Sequence, residues 1–406
     1  MPLDSSQFNL NNVLAAKERI QSTCTHTDLI YSYELSHEYN NEVYLKPENL
    51  QVTGSFKIRG ALNKVKTLSD EEKKRGLIAS SAGNHAQGVA YSGHTLGIDA
   101  TIVMPKTTPL IKIQATKNWG ANVVLAGDVY DEAYEEAKRL AKEKGYTFVH
   151  PFNDYEVMAG QGTIALEILE DMPDTDVILI PVGGGGLISG MAVAAKAINP
   201  NIKIIGVEST SAMAMKESID AGFAVSLKSV DSIADGAAVK RVGNLAFDIV
   251  KDYVDDIITL DEQDLIEAIF LLVEKHKIVA EATGALSIAA LKKLNMTGKK
   301  VVSVISGGNI DVLTMSSLLD RGLYSRGRLF CFSVKLKDTP GQLVKVAEIL
   351  ADVGANVVKL DHNQFKALDR LRHVALEITV ETNGHDHIKE VKAALNKQGY
   401  DIEVIY

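Results

Sequence analysis

Residues 178–197 read ILIPVGGGGLISGMAVAAKA: an apolar run, a proline, four successive glycines from Gly183 to Gly186, then small and apolar residues of helical character. A short apolar run handed through glycine to a helix is the repeating unit of a parallel sheet, whose strands are covered on both faces and so lack polar alternation. The uncharged stretch from Val177 to Ala195 is long enough to cross a bilayer, but Pro181 and the glycines interrupt it, which favours strand, turn and helix. Outward from this unit, from Glu42 to about Ser306, the same alternation recurs. EVYL, LIAS, ATIVMP, NVVLAG, TFVHPF, VILIPV, KIIGVE, DIITL and VVSVIS read as strands, and segments such as DEAYEEAKRLAKEKG read as amphipathic helices ending in glycine. The class is α/β. Nine strands exceed one comfortable sheet, so two parallel-type α/β subdomains with a cleft between them are expected.

Near Asp320 the text changes to DRGLYSRGRLF, a short charged stretch punctuated by glycine, read as a linker. The order then becomes strand (Leu329 to Leu336), helix (Gly341 to Val353), strands (Ala355 to His362 and His373 to Glu381), helix (Asp386 to Gln398) and strand (Asp401 to Ile405). This is a βαββαβ unit of a size for one small domain. Of 406 residues 46% are hydrophobic and 23% charged, which excludes a disordered or low-complexity chain. The formal charge of −9 argues against a nucleic-acid surface. Cys24 and Cys331 stand far apart with no C-x-x-C partner, as in a reducing compartment, and the opening MPLDSSQFNL lacks the order of a signal peptide, so a cytoplasmic protein is expected.

Three stretches carry chemistry. Successive glycines before a helix let the backbone come close to an anion, and the helix N-terminus supplies N–H groups, so Gly183 to Gly186 and Leu187 suit a phosphate. A tight packing turn is the plain alternative. A dinucleotide fingerprint is another: the third glycine of G-x-G-x-x-G is missing, although Glu208 ends the next strand where a ribose-binding acid would stand. In VTGSFKIRGA, residues 52–61, a helix capped by Ser55 would place Lys57, Ala61, Val65 and Leu68 on one inward stripe, with Arg59, Asn63 and Lys66 on the opposite, solvated side. A lysine there is either one that snorkels out of a helix end or a buried amine of lowered pKa, the form that attacks a carbonyl. Finally, IASSAGNHAQGVA and VISGGN end strands in polar turns, where ligands of open α/β sheets collect. They place Ser80, Ser81, Asn84, His85 and Ser306 at such edges, either as ligand groups or as caps.

Taken together, SFKIRGA, SSAGNHAQG, VGGGGL and SGGN resemble, in order and spacing, the fold-type II (tryptophan synthase β-like) pyridoxal phosphate enzymes, and among them the threonine dehydratases or threonine ammonia-lyases. The likeness covers about residues 1–320, with about 51–150 as the smaller subdomain. After a linker at 321–328, residues 329–406, with VKLKDTPGQLVKVAEILADVGANVVKLDH, resemble an ACT domain, a regulatory module that binds an amino acid. The resemblance implies that Lys57 bonds the pyridoxal 5'-phosphate aldehyde and acts as the base, with Phe56 packed beside it. Asn84 would meet the 3-hydroxyl, Gly183, Gly184, Gly185, Gly186 and Leu187 the phosphate, and Ser306 the pyridine nitrogen. Gly236 in ADGAAV and Glu281 in AEATGA would flank the ring, and Ser81 and His85 would hold the substrate carboxylate.

The implied reaction turns L-threonine into 2-oxobutanoate and ammonia, and L-serine into pyruvate, as in isoleucine synthesis or threonine breakdown. Two positions depart from the related serine racemases. Ala82 stands where they carry a second, serine base, and Ala214 stands where they carry an acid that helps bind a divalent metal, so no metal is expected. Serine racemase, another fold-type II enzyme, a nicotinamide oxidoreductase and a non-catalytic amino-acid sensor are the alternatives. In the ACT-like part, KDTPGQL and GANVVKLDH point to an amino-acid effector such as isoleucine or valine near Asp338, Gly341 and Asn356, and to a homo-oligomer, dimer or tetramer.

Overall fold

Strand β7 (Val177–Pro181), the run quoted first, is buried at every position. The computed structural model describes residues 8–363 and 373–406. The opening residues 1–7, part of the stretch from which the lack of a signal peptide was read, lie outside them. All nine sequence runs form strands: β2 (Glu42–Pro47), β3 (Leu77–Ser80), β4 (Ala100–Met104), β5 (Asn122–Leu125), β6 (Thr147–Phe148), β7, β8 (Lys203–Ser209), β9 (Asp256–Leu260) and β10 (Lys300–Ile305). A two-residue strand β1 (Ile30–Tyr31), too short to show a period, pairs antiparallel with β2.

The chain divides into two compact units, one ending at Asp311 and the other running from Val312 to the C-terminus. The first unit contains two sheets, ordered β1-β2-β10-β7-β8-β9 and β5-β4-β3-β6, parallel except for β1. In the smaller sheet Leu77, Ala79, Ile102 and Met104 face one core, while Ile78 and Val103 face another with Ala133, Ala137 and Leu140. Both faces are therefore apolar, as uninterrupted hydrophobic runs require. Each buried aliphatic side chain contributes about 1.5–3 kcal/mol. Beside the larger sheet a continuous core runs from Val13 through Ile164, Ile180 and Met191 to Phe247.

Three local expectations are corrected. Ser55 does not cap the helix Lys57–Thr67: Phe56 holds the cap position in helical geometry, and Ser55 instead bridges to Gly307 with its hydroxyl buried and unpartnered. Arg59 and Asn63 do not face water; both are buried, because the side of the helix opposite the sheet packs on helix Tyr155–Asp171. The two backbones nearly touch, since a Cβ on Gly160 would lie 2.4 Å from the Arg59 carbonyl oxygen. The stretch read as a linker is helical as far as Ser325, the end of helix Val312–Ser325.

In the second unit, β11 (Leu329–Lys337), β12 (Asn356–Asn363), β13 (His373–Glu381) and β14 (Ile402–Val404) form an antiparallel sheet ordered β12-β13-β11-β14. Helices Gln342–Asp352 and His385–Lys397 complete a βαββαβ order around Phe332, Val334, Val346, Leu376 and Val391. Among the described residues, no helix is long and apolar enough to cross a membrane.

Candidate active site

In the first unit the turns after β3, β7 and β10 are linked by a closed ring of contacts. Lys57 opens its helix with Nζ donating to Pro151 C=O (3.1 Å) and lying 5.2 Å from the Phe56 ring centre. Phe152 packs on the glycine run: a Cβ on Gly184 would lie 2.4 Å from its ring, and one on Gly186 2.9 Å from its Cα. Gly183 in turn abuts Ala237, whose neighbour Gly236 abuts Thr283 and Glu281. Asn84 Nδ2 donates to Glu281 Oε1 (2.6 Å), and both surround Gly307, where a Cβ would come within 2.6 Å of Glu281 Oε1 and 3.2 Å of Asn84 Nδ2. Ser306 C=O accepts from Phe56 N–H (3.1 Å), which returns the ring to the lysine.

Burial lowers the Lys57 pKa to about 8, with the Glu281 charge opposing it. About a tenth of the amine is thus neutral at pH 7, where a snorkelling lysine would have less than about a thousandth. Glu281 moves the other way, to about 7, through burial first and Asp235 second, against its bond from Asn84.

At each glycine of the run the place of a Cβ is taken: by Ala237 at Gly183, Phe152 at Gly184 and Gly186, and Ala246 and Met215 at Gly185. Gly185 holds φ +93°, a conformation that penalises side chains. A methyl at 184 has to displace the Phe152 ring, so Gly184→Ala is expected to weaken phosphate-ligand affinity at least about tenfold. Equilibrium titration of pyridoxal phosphate into the two proteins measures this; equal affinity would show that the run is a packing turn only.

The polar end of the ring carries buried hydroxyls without a hydrogen-bond partner at Ser80, Thr283 and Ser306. Buried polar groups are nearly always paired, so these hydroxyls are suited to receive the polar atoms of a ligand. Ser81 Oγ accepts from Gly83 N–H (3.2 Å), forming the turn into helix Asn84–Leu96. His85 is buried with its Nε2 on Val149 C=O (2.9 Å) and Nδ1 unpartnered. Burial and then the Lys57 charge push its pKa down to about 3, so the ring is neutral. Glu208, weighed above as a ribose acid, is buried and commits its carboxyl to the N–H groups of Met215 (2.9 Å) and Lys216 (2.8 Å). That removes the main support for a dinucleotide.

Several participants escaped the sequence reading. His150 Nδ1 accepts from Phe152 N–H (3.2 Å) and Asn153 N–H (2.9 Å), shaping the turn that carries both Pro151 C=O and the Phe152 ring. Its pKa falls to about 4, through burial first, with Asp154 opposing and Lys57 reinforcing. The signal lay in HPFND, a histidine and proline at the end of a run read as strand. Arg59 lies two residues after the lysine in a buried ionic group with Glu48, Glu167 and Lys46.

In the second unit Asp338 and Gly341 line a cavity of about 320 Å³ with Leu336, Thr339, Pro340 and Val374. Asn356 does not line it; it begins β12, opposite Glu381.

Residues 20–307 match the family described as pyridoxal-phosphate dependent enzyme. The chain is 46% identical over 399 residues to an L-threonine ammonia-lyase of Thermotoga maritima, covering 98% of this chain and 100% of that one. Among solved structures, threonine deaminase isoform 2 of Solanum lycopersicum, in its processed form, superposes with a TM-score of 0.74 at 38% identity, over 77% of this chain and 86% of that one. Maize serine racemase gives 0.74 at 34%, over 78% and 98%. A family model matched over most of the chain and a near-full-length relative agree with the two parallel sheets described above, and the chain belongs to the pyridoxal-phosphate dependent enzymes, in their fold-type II form.

Proposed function

We propose that the chain is an L-threonine ammonia-lyase, converting L-threonine to 2-oxobutanoate and ammonia and L-serine to pyruvate and ammonia. The observation that carries this is the lowered-pKa amine of Lys57 inside the contact ring, in a chain alike over its whole length to the T. maritima enzyme. The residues fit pyridoxal phosphate: the unpartnered Ser306 hydroxyl awaits a polar atom, and the glycine run leaves backbone bare at a helix N-terminus. Lys57 would hold the aldehyde carbon, Gly183 to Gly186 and Leu187 the phosphate, Asn84 the 3-oxygen and Ser306 the pyridine nitrogen. Phe56, Gly236 and Glu281 would lie beside the ring. When bound, the cofactor supplies an electron sink for the pair left at the substrate Cα.

The chain's own groups do the rest. Lys57, in its neutral amine form, would take the Cα proton. Ser306, a neutral hydroxyl, would orient the ring nitrogen without forcing it to be protonated, so the group it holds would be a weaker electron sink, suited to elimination. The turn from Ser81 to His85 receives the substrate carboxylate through its N–H groups, and the neutral His85 ring shapes the turn without adding charge. Water lost at elimination is regained on hydrolysis, so the net change is loss of ammonia. Ala82 carries no proton for the opposite face of Cα, which weighs against the racemase reading that the maize likeness suggests.

We assign the unit ending at Asp311, in place of the expected 1–320, to the catalytic domain, with about 51–150 as its smaller subdomain, and residues 329–406 of the second unit to an ACT-like domain that binds isoleucine or valine in the cavity at Asp338 and Gly341. The protein is taken to work in the cytoplasm as a dimer or tetramer. Steady-state assay on L-threonine, with and without isoleucine and valine, tests the reading: equimolar ammonia and 2-oxobutanoate support it, whereas D-serine formed from L-serine without ammonia would replace it with racemisation.

The Lys57 pKa gives a further expectation. In the ligand-free protein the amine is charged and unreactive below about 8 and neutral above it. The rate of pyridoxal phosphate uptake should therefore rise with pH through about 8 and level off above, as followed by visible absorbance in stopped flow. A rate still climbing steeply beyond pH 10 would mean that the amine is not perturbed.

A further inference from the structure

Three turns of the first unit meet at one side chain. Asn309, the last residue of SGGN, donates from Nδ2 to Thr53 C=O (2.8 Å) and to Asn84 Oδ1 (2.8 Å). A backbone carbonyl only accepts, so the Asn309 atom facing Thr53 must be the amide nitrogen, and its second hydrogen goes to Asn84. What it meets there has to accept. Asn84 therefore turns Oδ1 toward Asn309 and Nδ2 toward Glu281 Oε1, 2.6 Å away. The Thr53 carbonyl at one end, and the Glu281 carboxylate when ionised at the other, thereby set the same direction for the chain of bonds. With one N–H on Glu281, the Asn84 nitrogen keeps a single N–H to offer.

The anchor itself is tied to the backbone around it. The turn at 306–309 lies antiparallel along the segment that leads into Lys57, through the Ser55–Gly307 bridge, Phe56 N–H on Ser306 C=O (3.1 Å) and Gly308 N–H on Gly54 C=O (2.9 Å). Gly54 has φ +71°, and a Cβ there would lie 2.4 Å from Asn309 Oδ1, so the asparagine fits only over a glycine.

We propose that Asn309 is a positioning residue that holds Asn84 so as to present an N–H, and not a carbonyl oxygen, to the ring oxygen of the cofactor, favouring the ionised form of that oxygen. A donor stabilises a ring oxygen that carries charge and an acceptor destabilises it. The inference rests on the reading above that Asn84 meets the cofactor's 3-oxygen. It assigns no contact between Asn309 and the cofactor, since the side chain's two hydrogens are already committed to Thr53 and Asn84.

The test is a pH titration of the visible absorption of the cofactor-loaded protein without substrate, for wild type, Asn309→Asp and Asn309→Ser. In Asn309→Asp the new carboxylate can only accept and loses the bond to Thr53 C=O; Asn84 meets it by reversing, with Glu281, whose pKa is raised to about 7, taking a proton to donate to the reversed Oδ1, and so presents its oxygen to the cofactor. The titration midpoint is then expected to move upward by about one pH unit or more, with weaker cofactor binding at equilibrium. Asn309→Ser, too short to span Thr53 and Asn84, should shift it the same way by less. Midpoints equal to wild type in folded variants would overturn the inference and leave Asn309 a structural tie. If Asn309→Asp does not fold, the midpoint of Asn309→Ser decides alone. A wild-type protein that binds no pyridoxal phosphate would instead overturn the site reading beneath it.

Discussion

Replacing Lys57 with alanine is expected to abolish threonine turnover for practical purposes, lowering kcat at least about a thousandfold. Loss of a positioned general base alone costs about 10²–10⁴, and this side chain is also assigned the covalent hold on the cofactor. The protein itself should be unharmed. The amine's hydrogen bond is to Pro151 C=O, and burial disfavours its charged form, so its removal takes away little that stabilises the fold. Thermal unfolding close to wild type, with kcat collapsed and partial recovery on adding a small primary amine, is the expected pattern. Turnover within tenfold of wild type in the presence of added cofactor would show that another group is the base.

The second large effect concerns stability. Arg59 lies under the first turn of the lysine helix and is almost wholly buried with Glu48, Lys46 and Glu167. Its Nε and Nη2 take both oxygens of Glu48 (2.7 and 2.8 Å), while Nη1 and Nη2 take both of Glu167 (2.5 and 2.9 Å). Lys46 adds a bond to Glu167 (2.6 Å), so two cations face two carboxylates. Burial alone would raise the Glu167 pKa, but Arg59 and Lys46 overcome it and hold the carboxyl below its usual range. Removing one partner of such a group leaves an uncompensated buried charge, a loss of about 3–5 kcal/mol. Arg59→Ala should therefore show a large fall in its unfolding midpoint. Arg59→Lys should recover only part, because an ammonium cannot span two carboxylates with a planar fork. An Arg59→Ala protein as stable as wild type would mean that the group relaxes or admits water.

How legible these features were depended on range. Parallel strands announce themselves as apolar runs, which is why all nine runs could be read, β6 through the longer run TFVHPF around it, while β1, a two-residue antiparallel edge with one exposed residue, lies in no such run. Lys57 stood out as a cation on an apolar stripe. The reading of Arg59 failed for the same reason that the reading of Lys57 worked: a helical wheel assumes one solvated side, but this helix packs against the smaller sheet's core on one side and helix Tyr155–Asp171 on the other. Ser55 looked like a cap by residue type, and only its long-range pairing with Gly307 shows otherwise. Asn309 and the His150 turn act through partners more than 90 residues away, which neither period nor propensity encodes.

The central claim, that Lys57 is the residue bonded to the cofactor, is tested most directly by borohydride reduction of the loaded protein followed by peptide mass mapping. The account predicts a stable pyridoxyl increment on the peptide containing Lys57 and nowhere else. An increment on a different lysine, or none in a coloured and active preparation, would contradict it.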